Sequence, residues 1–215
     1  MEYEVRYYFN SKKLEAIVNK LKKIDGLLMQ GRFYEKTTQF DHPNDNNSFY
    51  SKEIDGRFRV RVTKNDNLSK CKLSWKRRIP SSTDSDVNKE EEVELSIKYE
   101  EYDNLMFIIN NVLKMKNIES YERYRTIFVN DDIEIAIDEY PFAIALEIEN
   151  KSTFKNPEKV VKEWTKKIGL DINKAYRLSW DDKYRELCKE QNVKQYSHVA
   201  FDLPMPEVRD KNGDI

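Results

Sequence analysis

Charged and apolar residues alternate with period two along much of this chain, the spacing that sends successive side chains to opposite faces of a β-strand. In the opening stretch 1–8, Glu2, Glu4 and Arg6 share one face while Tyr3, Val5 and Tyr7 share the other. The stretch 56–62 sets Arg57, Arg59 and Arg61 against Phe58, Val60 and Val62. Over 70–79, Lys72, Ser74, Lys76 and Arg78 oppose Leu73, Trp75 and Ile79. Over 90–97, Glu90, Glu92 and Glu94 oppose Val93, Leu95 and Ile97. Arg123 and Arg125 are in phase within 121–128, Glu134 and Asp138 within 132–140, and Glu147 and Glu149 within 143–150. The aromatics and threonines of 27–40 predict one or two further strands.

Helical spacing appears between the strands. Leu14, Ile17, Leu21 and Ile24 form a stripe at three- and four-residue intervals and predict a helix over 11–25, with Gly26 at its stop. Leu105, Ile108, Ile109, Val112 and Leu113 predict a second over 100–116. Asn156 caps a third over 157–168, with Pro157 in its first turn and Gly169 past its end. A fourth is expected over 181–191. Turn residues mark loops at 42–47 and 80–88, and the tail after Tyr196 reads as irregular.

Composition sharpens the picture. Lys and Arg total 38 against 39 Asp and Glu, so the chain lacks the basic excess of a general nucleic-acid binder. Two cysteines, Cys71 and Cys188, are too few for a disulfide framework or a zinc site, and His42 and His198 fall in expected loops. No apolar run approaches membrane-spanning length and no signal peptide is visible, so a cytoplasmic location is expected.

The charged faces carry the chemistry. With 39 acidic residues in 215, acid-x-acid pairs arise about seven times by composition alone. One such pair therefore means nothing; grouping by sign does. Bases cluster on some strands and acids on others, and the opposite faces are apolar enough to be covered by helices. The expected fold is α+β: a closed antiparallel β-barrel with a charged interior and helices packed outside. Arg and Lys in such an interior suit phosphate oxygens, and carboxylates facing the same space need a divalent cation between them. A polyphosphate with Mg²⁺ or Mn²⁺ accounts for both signs.

The ordered set of residues resembles the CYTH superfamily, the triphosphate tunnel metalloenzymes. Glu2-x-Glu4-x-Arg6 resembles the ExExK signature, followed in order by Arg59-x-Arg61, Lys72 to Lys76, Glu92-x-Glu94, Arg123-x-Arg125, Asp138 and Glu147-x-Glu149. Arg6 stands where the signature has lysine, and Pro141-Phe142-Ala143 where a Gly-Leu-Gly turn is usual. The resemblance implies an eight-stranded tunnel domain over 1–191, with 192–215 a tail of no assigned role.

It further implies that Arg6, Arg57, Arg59, Arg61, Lys72, Lys76, Arg123 and Arg125 bind the phosphate chain. Glu2, Glu4, Glu147 and Glu149 would hold Mg²⁺ or Mn²⁺. Glu92, Glu94 and Asp138 would be catalytic, completing a second metal site or positioning water for in-line attack. The expected activity is metal-dependent hydrolysis of a triphosphate: inorganic, nucleoside or other organic. A class IV-type adenylyl cyclase and a non-catalytic polyphosphate- or nucleotide-binding module are the alternatives. The expected partner is a triphosphate-bearing small molecule, with no membrane and no nucleic acid beyond a triphosphate RNA 5′ end; a homodimer is left open.

Overall fold

Strand formation follows the alternation. The computed structural model describes residues 2–51, 53–79 and 87–209. Its barrel strands are β1 (Glu2–Phe9), β2 (Leu28–Asp41), β3 (Gly56–Asn65), β4 (Leu68–Arg78), β5 (Asn88–Ile97), β6 (Lys116–Val129), β7 (Ile133–Tyr140) and β8 (Ala143–Asn150). They run in the order β2-β3-β4-β5-β1-β8-β7-β6, every neighbour antiparallel, and a long β2–β6 pairing closes the ring. The region 27–40 is thus one long strand, bulged near Gly31. Most of the predicted 80–88 loop lies outside the described residues.

Closure sends one face of every strand inward, and the outward faces make the core. Val5, Tyr7 and Phe9 of β1, Ile133, Ile135 and Ile137 of β7, and Ile144, Leu146 and Ile148 of β8 form one apolar surface. Two helices cover it: α1 (Leu14–Lys22), through Ile17 and Leu21, and α3 (Pro157–Ile168), through Val160, Val161, Trp164 and Ile168. Each such buried side chain contributes about 1.5–3 kcal/mol. Asn156 caps α3 by accepting from Lys159 N, and Gly169 ends it at φ 83°, a left-handed conformation that glycine adopts without strain.

The second predicted helix departs from expectation. It is α2 (Tyr102–Phe107), continued by a π turn over Ile108–Val112, and the chain has already entered β6 at Lys116. Of its stripe only Ile109 is fully buried, against Phe40, Val60 and Cys71; Ile108, Val112 and Leu113 are exposed. Val93 and Leu95 on the outer face of β5 are exposed as well, so helices do not cover the whole barrel.

The last helix, α4 (Trp180–Gln191), packs Tyr184, Leu187 and Cys188 against Tyr121, Tyr140 and Phe142. Ser179 and Asp182 form a capping box at its start. Beyond it the chain is strapped to the barrel as far as Val208. A two-residue strand β9 (His198–Val199) pairs in parallel with Ser120 and Tyr121 of β6, Val208 N donates to Phe142 O at 3.2 Å, and Asn10 Nδ2 donates to Val208 O at 2.7 Å. No helix among the described residues is long and apolar enough to cross a membrane.

Candidate functional site

The inward faces enclose a tunnel of about 200 Å³ whose wall is almost entirely charged. Arg6, Arg57, Arg59, Arg61, Lys72, Lys76, Arg123 and Arg125 line it together with Glu2, Glu4, Glu92, Glu94, Glu147 and Glu149. Asp138 alone of the predicted site residues is absent from the lining: it is wholly buried behind Arg123 and Arg125.

On the β6–β8 side acids and bases are already matched. Asp138 accepts from Arg123 Nη1 at 2.6 Å and from Arg125 Nε at 2.6 Å, and Glu35 accepts from Arg123 Nη2 at 2.6 Å. Glu147 divides its two oxygens between Arg6 and Arg125, each at 2.6 Å. Burial opposes charge on Arg123, as does the neighbouring Arg125, yet Asp138 and Glu35 hold its pKa well above the usual value. Burial would raise Glu147, but Arg6, Arg125 and Arg123 hold it far below the carboxylate range. This is a desolvated, fully satisfied network, the condition under which buried charges persist.

The opposite wall is different. Among the described residues, Arg59 comes no nearer to a carboxylate than 3.4 Å (Glu92) and Arg61 no nearer than 3.8 Å (Glu35). Arg57 lies 3.4 Å from Asp55, and Arg78 lies 3.6 Å from Asp55 and 3.9 Å from Glu90. Burial and the like charge of Arg57 lower the pKa of Arg78. These guanidinium groups keep donors to spare, which suits an oxyanion in the tunnel.

Acids gather between the two walls. Carboxylate oxygens of Glu2, Glu4 and Glu90 all lie within 4.8 Å of one another. The Lys76 ammonium sits among them, 2.8, 3.4 and 2.6 Å from Glu2, Glu4 and Glu90. Three carboxylates already converging on a cation, with no His or Cys in the tunnel lining, are a hard-oxygen donor set that fits Mg²⁺ or Mn²⁺. Burial and a hydrogen bond with Glu2 push Glu92 up to about 7. Burial pushes Glu2 the same way, but Glu92 and Lys76 outweigh it and bring Glu2 down to about 2. Burial and the charge of Glu2 raise Glu149 to about 8.

Known structures share this architecture. The chain superposes on the PH1012 protein of Pyrococcus horikoshii OT3 with a TM-score of 0.63 at 19% identity, covering 85% of this chain and 98% of that one. For the PH1819 protein of the same organism the TM-score is 0.62 at 20% identity, covering 86% and 99%. For HpAC1 from Hippeastrum, a candidate adenylyl cyclase with a dominant triphosphatase activity, it is 0.57 at 18% identity, covering 86% and 96%. The chain shares the closed eight-stranded antiparallel barrel fold of these structures, the fold that the resemblance to the CYTH superfamily implies. No protein-family model and no curated protein matches its sequence.

Within this tunnel the structure adds residues to the predicted set. Glu90 joins Glu2 and Glu4 where Glu147 does not, and Arg78 extends the loosely held arginines; both lie in phase with predicted site residues on their own strands. Glu35 is the third partner of the Arg123 network. Its signal is the in-phase polar run Glu35, Thr37, Gln39 and Asp41, all buried, which the neighbouring aromatics of β2 obscure. Tyr121, Tyr140 and Trp180 also line the tunnel, and no strand pattern announces the last of these.

Proposed function

We propose that the protein is a divalent-metal-dependent triphosphatase that works inside the tunnel. The observation that carries this reading is the facing of two unlike groups across one small space: arginines with unspent donors on β3 and β4, and the Glu2, Glu4, Glu90 carboxylates. The triphosphatase activity of HpAC1, which shares the fold, supports it.

Arg59, Arg61 and Lys72 would hold the phosphate oxygens, and their fixed positive charge would stabilise the charge that builds up as the phosphoanhydride bond breaks. Glu2, Glu4 and Glu90 would hold Mg²⁺ or Mn²⁺, which when bound supplies further neutralisation of the phosphate oxygens. Lys76 would then leave the carboxylates and turn its ammonium to phosphate. Glu92, its pKa raised to about 7, is matched to accept a proton from the attacking water at its carboxylate oxygen. Arg123, Arg125, Asp138 and Glu35 would keep the far wall rigid.

Orthophosphate release from tripolyphosphate, ATP, GTP, thiamine triphosphate and triphosphate-ended RNA, each with Mg²⁺ and with Mn²⁺, tests the reading. No release from any of them with either metal would overturn it. A cyclase is the second reading, favoured by the fold shared with candidate adenylate cyclases from Vibrio parahaemolyticus and Bacillus halodurans. Cyclic AMP and pyrophosphate from ATP, in place of orthophosphate, would establish it.

A further inference from the structure

Charge is balanced over the whole chain but not over its surface. The net charge is −1, yet segments 11–25 and 155–174 together hold eleven lysines and no arginine against five acidic residues. These segments carry α1 and α3, which lie side by side over the same apolar surface of β1, β7 and β8. Lys20 Nζ reaches to 3.2 Å from where a Cβ on Gly169 would stand, which sets the end of one helix beside the end of the other. Because each helix turns its apolar stripe to the barrel, helical spacing sends its lysines outward. On α3, Lys159, Lys162 and Lys166 recur at intervals of three and four residues, and all three are exposed.

Two apolar side chains stand out beside this basic surface. Phe154, next to Lys155, is 98% exposed, the most exposed large apolar side chain among the described residues. Its loop is fixed at both ends. Lys151 N and Ser152 N donate to Asp132 O at 2.9 and 3.1 Å, Lys155 pairs with the Asp132 carboxylate, and Asn156 caps α3. Leu28, 65% exposed, pairs with Val129 at the foot of the same β6–β7 turn and closely follows Lys22 and Lys23 in the chain. Lysines around protruding apolar groups complement an anionic bilayer, whose headgroups attract the ammonium groups while its acyl boundary takes up the apolar side chains. A nucleic-acid face would call for arginine forks or a groove with stacking aromatics. Here the cations are all lysine, and they lie on the outer faces of two helices.

We propose that the α1–α3 face docks on the surface of an anionic phospholipid membrane, with Lys159, Lys162 and Lys166 against the headgroups and Phe154 inserted at the acyl boundary. The absence of a membrane-length apolar run bears on spanning, and surface docking needs no spanning segment. Lys151, three residues before Phe154, lines the tunnel, so docking sets the tunnel opening beside the bilayer. The proposal stands apart from the triphosphate reading, because none of these docking residues lines the tunnel.

Co-sedimentation of the full chain with vesicles tests this. The protein should bind phosphatidylcholine vesicles that contain phosphatidylserine at low salt, leave them at high salt, and ignore vesicles of phosphatidylcholine alone. Near an anionic surface each lysine strengthens binding about fivefold, so the triple variant Lys159→Gln, Lys162→Gln, Lys166→Gln should bind at least about tenfold more weakly. Phe154→Ser should weaken binding by about tenfold, the lower end of what burying such a side chain contributes. Both variants should keep the wild-type melting temperature, since the substituted side chains are exposed. No binding to the phosphatidylserine vesicles, equal binding to both kinds of vesicle, or undiminished binding by both variants would overturn the proposal. So would a protein that ignores the vesicles but binds oligouridylate through the same three lysines, which would make the face a nucleic-acid surface.

Discussion

Arg123 Nη1 donates to Asp138 Oδ2 at 2.6 Å, and Asp138 has no exposed surface at all. Asp138 also takes Nε and Nη2 of Arg125, so one carboxylate anchors two cations of the tunnel wall. Asp138→Asn removes the charge and leaves both guanidinium groups short of a partner. Breaking a buried pair in this way costs about 3–5 kcal/mol. Urea denaturation should show that loss, with Mn²⁺ affinity unchanged. A variant of native stability that loses only turnover would make Asp138 catalytic instead.

Glu90 stands in the acidic cluster, while Glu147 is tied to Arg6 and Arg125. Glu90→Gln should weaken Mn²⁺ binding by at least about tenfold, the lower end of what disturbing a metal's supporting groups costs. Glu147→Gln should instead lower stability, by freeing two buried arginines. Titration of both variants with Mn²⁺ separates the roles. Equal loss of metal affinity in the two would return Glu147 to the ligand set expected from the sequence.

Glu119 offers a pH-dependent readout away from the acidic cluster. Burial, aided by the charge of Asp181, raises its pKa from 4.5 to about 7. A group whose folded pKa lies above its unfolded value contributes stability that is complete below the unfolded value and lost as pH rises through the folded one. Melting temperature should therefore fall between about pH 5 and pH 8. Glu119→Gln should flatten that slope and raise stability at the alkaline end. A slope identical to wild type would show that Glu119 ionises normally.

Gly56 begins β3 beneath the Trp75 indole, and a Cβ at that position would collide with the ring. Trp75 has little room to retreat, since Phe49 lies edge-on to it at 5.2 Å. Gly56→Ala should cost about 1–3 kcal/mol, as overpacking does. Because Arg57 is the next residue, tripolyphosphate affinity should fall too. Denaturation and binding measured on the same variant check both effects.

Much of the site could be read before folding because a strand has a period of two. Once Arg57, Arg59 and Arg61 share a face opposite Phe58, Val60 and Val62, only one face can be buried against helices, and the other must line whatever the sheet encloses. The same reasoning placed Lys76, Glu92, Arg125 and Glu147 in the tunnel. It failed on β2, where Tyr34 and Phe40 on one parity drew attention from Glu35 and Gln39 on the other. It also overextended the helix of 100–116, because helical spacing alone does not reveal that the chain must turn into β6 by Lys116.

The sequence by itself determined parity: which residues face inward, which face the helices, and hence that the interior is charged. The tertiary structure decided pairing. Arg6 meets Glu147 across 141 residues of chain and Arg123 meets Glu35 across 88, contacts set by barrel closure and shear, about which a local pattern carries no information. Electrostatic energy depends on distances of a few ångströms. So only the folded chain separates arginines already satisfied by carboxylates from those held at longer distances.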